Sequence, residues 1–280
     1  MPTNGVQKVV RGGVGYPARL LQFGRPPVEL WFRGALPPPD RPAVAIVGSR
    51  KASGAGCERA SQLAGAFARR GWAVVSGGAF GIDAAAHIGA LEGGGGTYAV
   101  LGCGVDVVYP DRHAALFERI AERGGLISQF APGAAPHMSH FPQRNETVAG
   151  LADAVIVVEA ALKSGALITA RVARKRGQRL LAVPGTPGTD ALLAAGALPL
   201  TDADALDDAL AGRGRLPTAA VPEMFAPLIH ALRAGPDTAP GLARRLGLSL
   251  PAAMGLLLEA ELDGWVFKAS DSHYEVIRVH

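Results

Sequence analysis

The chain reads as a doubly wound α/β protein, a mainly parallel sheet followed by a small C-terminal winged-helix domain. Short β-branched, apolar runs alternate with segments of helical period through the first three quarters of the sequence. The runs are apolar throughout rather than alternating, the pattern of strands buried on both faces. After residue 222 the rhythm changes, and helices come before strands. Parallel neighbours need a crossover connection, so buried runs separated by helices place helices on both faces of the sheet.

Taken in order, residues 1–40 read as an irregular extension, because Pro26–Pro27 and Pro37–Pro39 fix an extended path. The Rossmann-like rhythm occupies 41–211. Its strand runs are Val44–Val47, Ala73–Ser76, Thr97–Leu101, Leu126–Ser128, Ala154–Val158 and Arg179–Val183. Its clearest helices are Gly56–Arg70, Ile82–Leu91, Asp111–Arg123 and Ala166–Arg176. Three of them end in basic residues and then glycine, at Gly71, Gly124 and Gly177. That order suits the negative helix end and a left-handed terminating residue. Residues 129–145 read as one long loop. A linker over 212–222 precedes helical patterns at Glu223–Ala234, Thr238–Leu246 and Leu250–Leu262, with Gly247 as a turn. The β-type runs Trp265–Lys268 and Tyr274–Val279 complete a winged helix over 223–280.

Composition narrows the function classes. Hydrophobic residues at 49% and charged residues at 19% of 280 exclude disorder for most of the chain. Thirty-seven glycines without a three-residue period exclude collagen. No charge-free run approaches the roughly 18 apolar residues of a membrane span, and the N-terminus has no apolar signal core. Cys57 and Cys103 are too few for a disulfide framework and lack metal-ligand spacing, which reads as reduced thiols in a cytoplasmic protein. The formal charge of +4 admits a polyanionic partner. Its distribution is sharper: Lys163 to Arg179 holds six Lys or Arg and no acid.

In an open parallel sheet, ligands bind beyond the carboxyl ends of the strands. The loops there are Gly48-Ser49-Arg50, Ser76-Gly77-Gly78, Gly102-Cys103-Gly104 and Lys163-Ser164-Gly165. Glycines admit close backbone approach, helix N-termini offer N–H groups, and Arg50 and Lys163 add full charges. Together these favour a phosphate-bearing ligand. Neither a P-loop nor a GxGxxG fingerprint is present, and no GxSxG elbow supplies a nucleophile. His87, on an apolar helix, reads as a packed core histidine, and Asp83 as a brace of that helix start. His137 and His140 have metal-like spacing without an evident third ligand. Phe141 either stacks on a base or plugs the core, and Arg144 either binds phosphate or pairs with Glu146 or Asp153.

Read together, VAIVGSR (44–50), VVSGGAFGIDAAAH (74–87), AVLGCGVDVVYP (99–110), FPQRN (141–145), VVEAALKSGALITA (157–170) and AVPG (182–185) resemble the DprA/Smf family of DNA-processing proteins. The resemblance implies an extended Rossmann-type domain whose pocket grips the backbone of single-stranded DNA. It implies a homodimer that protects incoming strands and loads the RecA recombinase in natural transformation, with no enzymatic activity and no cofactor. Carried over, Ser49 and Arg50 become phosphate contacts, and Gly77 and Gly78 close-approach positions. Phe141, Arg144, Asn145, Lys163, Ser164 and Gly165 line the same pocket. The third C-terminal helix carries Glu259 and Glu261 and no cation, so phosphates repel it and a protein-contact role is expected. That argues against a sequence-specific transcription factor. The alternative enzyme reading is a phosphoribohydrolase of the lysine-decarboxylase-like type, but Leu192 stands where its catalytic glutamate belongs.

Overall fold

The computed structural model describes residues 5–22, 26–201, 223–262, 266–269 and 272–276. Nine strands form one sheet: β1 (Val6–Val10), β2 (Glu29–Gly34), β3 (Ala43–Val47), β4 (Ala73–Ser76), β5 (Thr97–Val100), β6 (Gly125–Ser128), β7 (Ala154–Val157), β8 (Arg179–Ala182) and β9 (Leu198–Pro199). Their order is β1-β2-β6-β5-β4-β3-β7-β8-β9. From β6 through β9 every neighbouring pair is parallel, while β1–β2 and β2–β6 are antiparallel. The chain runs outward from β3 in one direction through β4, β5 and β6, then restarts on the other side with β7. The crevice of a doubly wound sheet therefore opens at the carboxyl ends of β3 and β7.

Helices α2 (Gly54–Arg69), α3 (Ile82–Glu92) and α4 (Ala114–Arg123) pack on one face, around Phe67, Ile82 and Phe117. Helices α1 (Ala18–Leu21), α5 (His140–Gly150) and α6 (Ala166–Lys175) cover the other, around Leu20, Val148 and Ala170. The β3 residues Ala43 to Val47 are all buried, as a central parallel strand demands. Helix α7 (Pro187–Ala194) starts from a reciprocal Thr186–Thr189 capping box.

Three expectations need correction. Residues 1–40 are not an irregular extension: β1 and β2 form a hairpin that joins the sheet at β6. The alternation that buries Leu30 and Phe32 was hidden by the flanking prolines, so the sheet begins at Val6 rather than near 41. Residues 129–145 are not one loop, because α5 starts at His140 and carries FPQRN; Pro142 is tolerated in a first helical turn. Gly124 is extended (φ −162°) rather than left-handed. Glycine is needed there because a Cβ would stand 1.9 Å from the Thr97 carbonyl oxygen. The proposed 212–222 linker, Trp265 and residues 277–279 lie outside the described residues.

Beyond Glu223, α8 (Ala226–Arg233), α9 (Ala239–Leu246) and α10 (Leu250–Leu262) surround their own apolar core with Phe225, Leu242 and Leu257. Gly247 closes α9 in the left-handed region at φ +65°. Strands β10 (Asp237–Thr238), β11 (Val266–Lys268) and β12 (His273–Val276) make an antiparallel sheet in the order β10-β12-β11.

Candidate functional site

The glycine turns after β3, β4 and β5 and the first turn of α5 meet in one shallow cleft of about 50 Å³. Arg50, Phe80, Gly102, Tyr109, Phe141 and Arg144 line it. Two glycines make this convergence possible. Gly81 (φ +74°) brings the β4 loop onto the β3 loop, where a Cβ would lie 2.2 Å from the Ser49 carbonyl oxygen. That same oxygen accepts the Ile82 amide at 3.2 Å. At Gly77 a Cβ would collide with both the Arg144 guanidinium and the Asp83 carboxylate. Gly78 is buried beside it with φ +69°.

Arg50 and Arg144 play opposite parts. Arg50 is exposed, forms no ion pair with any described residue, and lies over the Phe141 ring at 4.9 Å. Arg144 is only 5% exposed. It donates to the Gly77 carbonyl and, at 2.8 Å, to the Val100 carbonyl, tying the ends of β4 and β5 together. The expected pairings of Arg144 with Glu146 or Asp153 are not formed, since Asp153 holds Arg19 instead and burial removes Arg144 from the surface. Burial lowers the Arg144 pKa and raises that of Asp83, and each charge partly offsets the other's penalty. Asp83, expected to brace the start of its helix, accepts the Ala79 amide at 3.3 Å and so ties the start of α3 to the loop after β4.

Phe141 is half-buried against Gly102, where a Cβ would stand 2.8 Å from the ring. Asn145 accepts from Arg144 Nε at 3.0 Å and donates to the Gly165 carbonyl at 3.2 Å. It thereby joins the cleft to the Lys163-Ser164-Gly165 loop. Lys163 is exposed, Ser164 accepts the Ala166 amide through its hydroxyl, and Gly165 opens α6. The ten residues singled out from sequence thus share the carboxyl edge of β3, β4, β5 and β7.

One expected anion site is closed. The Glu159 carboxylate accepts from the Ser53 amide at 3.1 and 3.2 Å and from its hydroxyl at 2.7 Å. It therefore already neutralises the N-terminus of α2. The Ser49 amide is likewise spent, on the Glu159 carbonyl at 2.7 Å. His140 stacks on Phe130 at 3.8 Å and bonds the Gly102 carbonyl at 3.1 Å, which accounts for its place in the loop. His87 is a core residue: its Nδ1 lies 2.7 Å from Thr97 Oγ1, and burial depresses its pKa to about 3. Leu192 packs against the core in the position where a hydrolase would need its acid. Sequence reading missed Phe80 and Tyr109, which are 42% and 43% exposed. For Phe80 the available signal was an aromatic residue set among glycines at the ligand edge of the sheet; Tyr109, between Val108 and Pro110, carried no such mark.

With this geometry in hand, the model of DNA recombination-mediator protein A matches residues 8–210, which include every residue of the cleft. The chain belongs to the DNA recombination-mediator protein A family. A putative DNA processing protein DprA of Mycobacterium tuberculosis is 44% identical over 198 residues, covering 68% of this chain and 51% of that protein. The Escherichia coli protein Smf is 35% identical over 270 residues, covering 90% of this chain and 72% of its own. The chain spans about half the length of the first curated family members it matches. The X-ray structure of DprA from Streptococcus pneumoniae superposes with a TM-score of 0.68 at 35% identity, covering 72% and 74% of the two chains. A family member from Helicobacter pylori, described for its single-stranded DNA binding mode, gives 0.66 at 28% identity, covering 75% and 97%. The family fold is therefore the α/β sheet observed here, and no described helix is long and apolar enough to cross a membrane.

Proposed function

We propose that this chain binds single-stranded DNA along the carboxyl edge of its sheet and delivers it, as a homodimer, to the RecA recombinase. The observation that carries the reading is Arg50: an exposed guanidinium with no carboxylate partner among the described residues, held over an aromatic ring beside close-packed glycine turns. Arg50 and Lys163 supply phosphate contacts, and the cleft rings supply apolar surface for bases. Arg144 and Asn145 act from below, fixing the loops that present those groups. The relative from Helicobacter pylori, with its single-stranded DNA binding mode, supports the same ligand.

The C-terminal element reads as a winged helix that contacts protein rather than DNA. Its α10 exposes Leu250, Met254 and Leu258 beside Glu259, an apolar and acidic surface.

Titration of labelled oligo-dT and a matching duplex, at two salt concentrations, tests this reading. Oligo-dT affinity is expected to fall steeply between about 50 and about 300 mM salt, with duplex bound more weakly. Arg50→Ala is expected to lose more than about tenfold with an unchanged melting temperature, as removal of a charge-assisted contact requires. Salt-independent binding, or wild-type affinity in the Arg50 variant, overturns the assignment.

A further inference from the structure

Resting on the single-strand reading above, we propose that Phe80 and Tyr109 are base-stacking platforms at the rims of the cleft, so that the site holds unpaired bases as well as phosphates.

Large aromatic side chains normally end up mostly buried, because each carries a large apolar surface. Phe80 and Tyr109 remain 42% and 43% exposed while lining the same cleft as Arg50. Neither exposure comes from a loosely attached loop. Phe80 sits between Gly78 and Gly81, in the segment clamped onto the Ser49 carbonyl. Its ring meets His113 edge-on at 4.7 Å, and His113 Nδ1 in turn bonds the Gly78 carbonyl at 3.0 Å. Tyr109 leans on Phe141, with ring centroids 5.9 Å apart. Each ring is thus braced from one side and open on another.

Phe141 differs. It packs on Gly102 and is covered by the Arg50 guanidinium, so its ring is already engaged. The narrow space between the rims is only about 50 Å³, whereas the exposed ring faces at its mouth are open to a base. We place the base on those rim rings. Every base has a π-face, so such stacking tolerates any sequence. It also demands that the base be unstacked from a complementary strand, which disfavours duplex.

The test compares oligo-dT with an abasic strand of equal length, using wild type, Phe80→Leu, Tyr109→Leu and Arg50→Ala. Leucine keeps apolar bulk but removes the ring. Each ring variant is expected to lose about tenfold on oligo-dT, within the range for one stacked base, and less than about twofold on the abasic strand. Phe80→Trp is expected to restore oligo-dT binding, and Arg50→Ala to lose affinity on both strands. Equal losses of the ring variants on the two strands, or losses on neither, overturn the stacking role while leaving the phosphate reading intact. Wild-type protein that binds neither strand overturns the proposed function and this inference with it.

Discussion

The two edges of the sheet are both basic, yet the proposed polyanion site lies at only one of them. At the amino-terminal edge a cavity of about 560 Å³ is lined by Arg19, Lys175, Arg176 and Arg179. It is the roomier of the two sites and carries more cations. Its charges, however, serve the fold. Arg19 grips Asp153 through both oxygens at 2.8 and 3.0 Å, and Asp153 also caps the start of β3 through the Ala43 amide. Arg176 donates to the Gln22 carbonyl at 2.8 Å, and Lys175 lies 4.0 Å from Glu261. At the carboxyl edge the cleft is smaller, but Arg50 and Lys163 are exposed and form no ion pair with any described residue. Uncommitted charge beside close-packed backbone, rather than charge count or volume, is what distinguishes the proposed site.

The strongest challenge to that contrast lies within the cleft itself, between its two arginines. Arg144→Ala removes the guanidinium that links the Gly77 and Val100 carbonyls and leaves Asp83 buried without its counter-charge. A loss of about 3–5 kcal/mol in unfolding free energy is expected, the usual cost of breaking a buried charged arrangement from one side. Arg50→Ala is expected to stay within about 0.5 kcal/mol of wild type, as exposed substitutions do. Chemical denaturation of the two variants measures both; equal stabilities sink the division between a structural and a binding arginine.

His87 tests the same idea of polar groups committed to the core. Thr97 Oγ1 donates to the Val74 carbonyl at 3.0 Å, so it accepts from His87 Nδ1–H, and the ring is neutral. Its pKa falls from 6.5 to about 3 through burial, so the unfolded chain binds a proton that the folded one refuses. Stability is full above the unfolded pKa and drains as pH drops from about 7 toward 3. Between pH 7 and 5 the contribution is about 2 kcal/mol. In His87→Asn, which keeps a donor near the Nδ1 position, that part of the acid sensitivity should vanish; a pH dependence identical to wild type contradicts the neutral, buried ring.

Most of this architecture was legible because its signals are local. The fully apolar β3 and β7 and the amphipathic α2 announced themselves through pattern alone. What escaped depends on partners distant in sequence. The strand Glu29–Gly34 is defined by pairing with Gly125–Ser128, nearly a hundred residues on, and its flanking prolines argued the other way. Arg144 looked like a surface cation because nothing nearby in sequence shows that Gly77 and Val100 will present carbonyls to it. Glu159 gave no hint that it would fill the N-terminus of α2 from the end of the neighbouring strand β7, about a hundred residues on in sequence. Phe80 was within reach: exposure cannot be read from sequence, but an aromatic residue between Gly78 and Gly81 at the ligand edge could have been weighed as a platform, whereas nothing around Tyr109 set it apart.

The smallest effect separates the two edges most cleanly. Lys163 and Lys175 bracket α6, one in the loop before it and one in its last turn, so the same change, Lys→Ala, can be made at each end of a single element. If a strand follows the carboxyl edge, Lys163→Ala removes one phosphate contact. It should weaken oligo-dT binding a few-fold and reduce the slope of log affinity against log salt by about one. Lys175→Ala removes a charge of the same kind at the opposite end of the helix, already beside Glu261. Affinity there should change less than about twofold, with the salt slope preserved, because screening leaves little of a charge more than about 10 Å away. A slope that drops equally in both variants would show a strand wrapping the length of α6, and the contrast between committed and uncommitted charge would no longer locate the site.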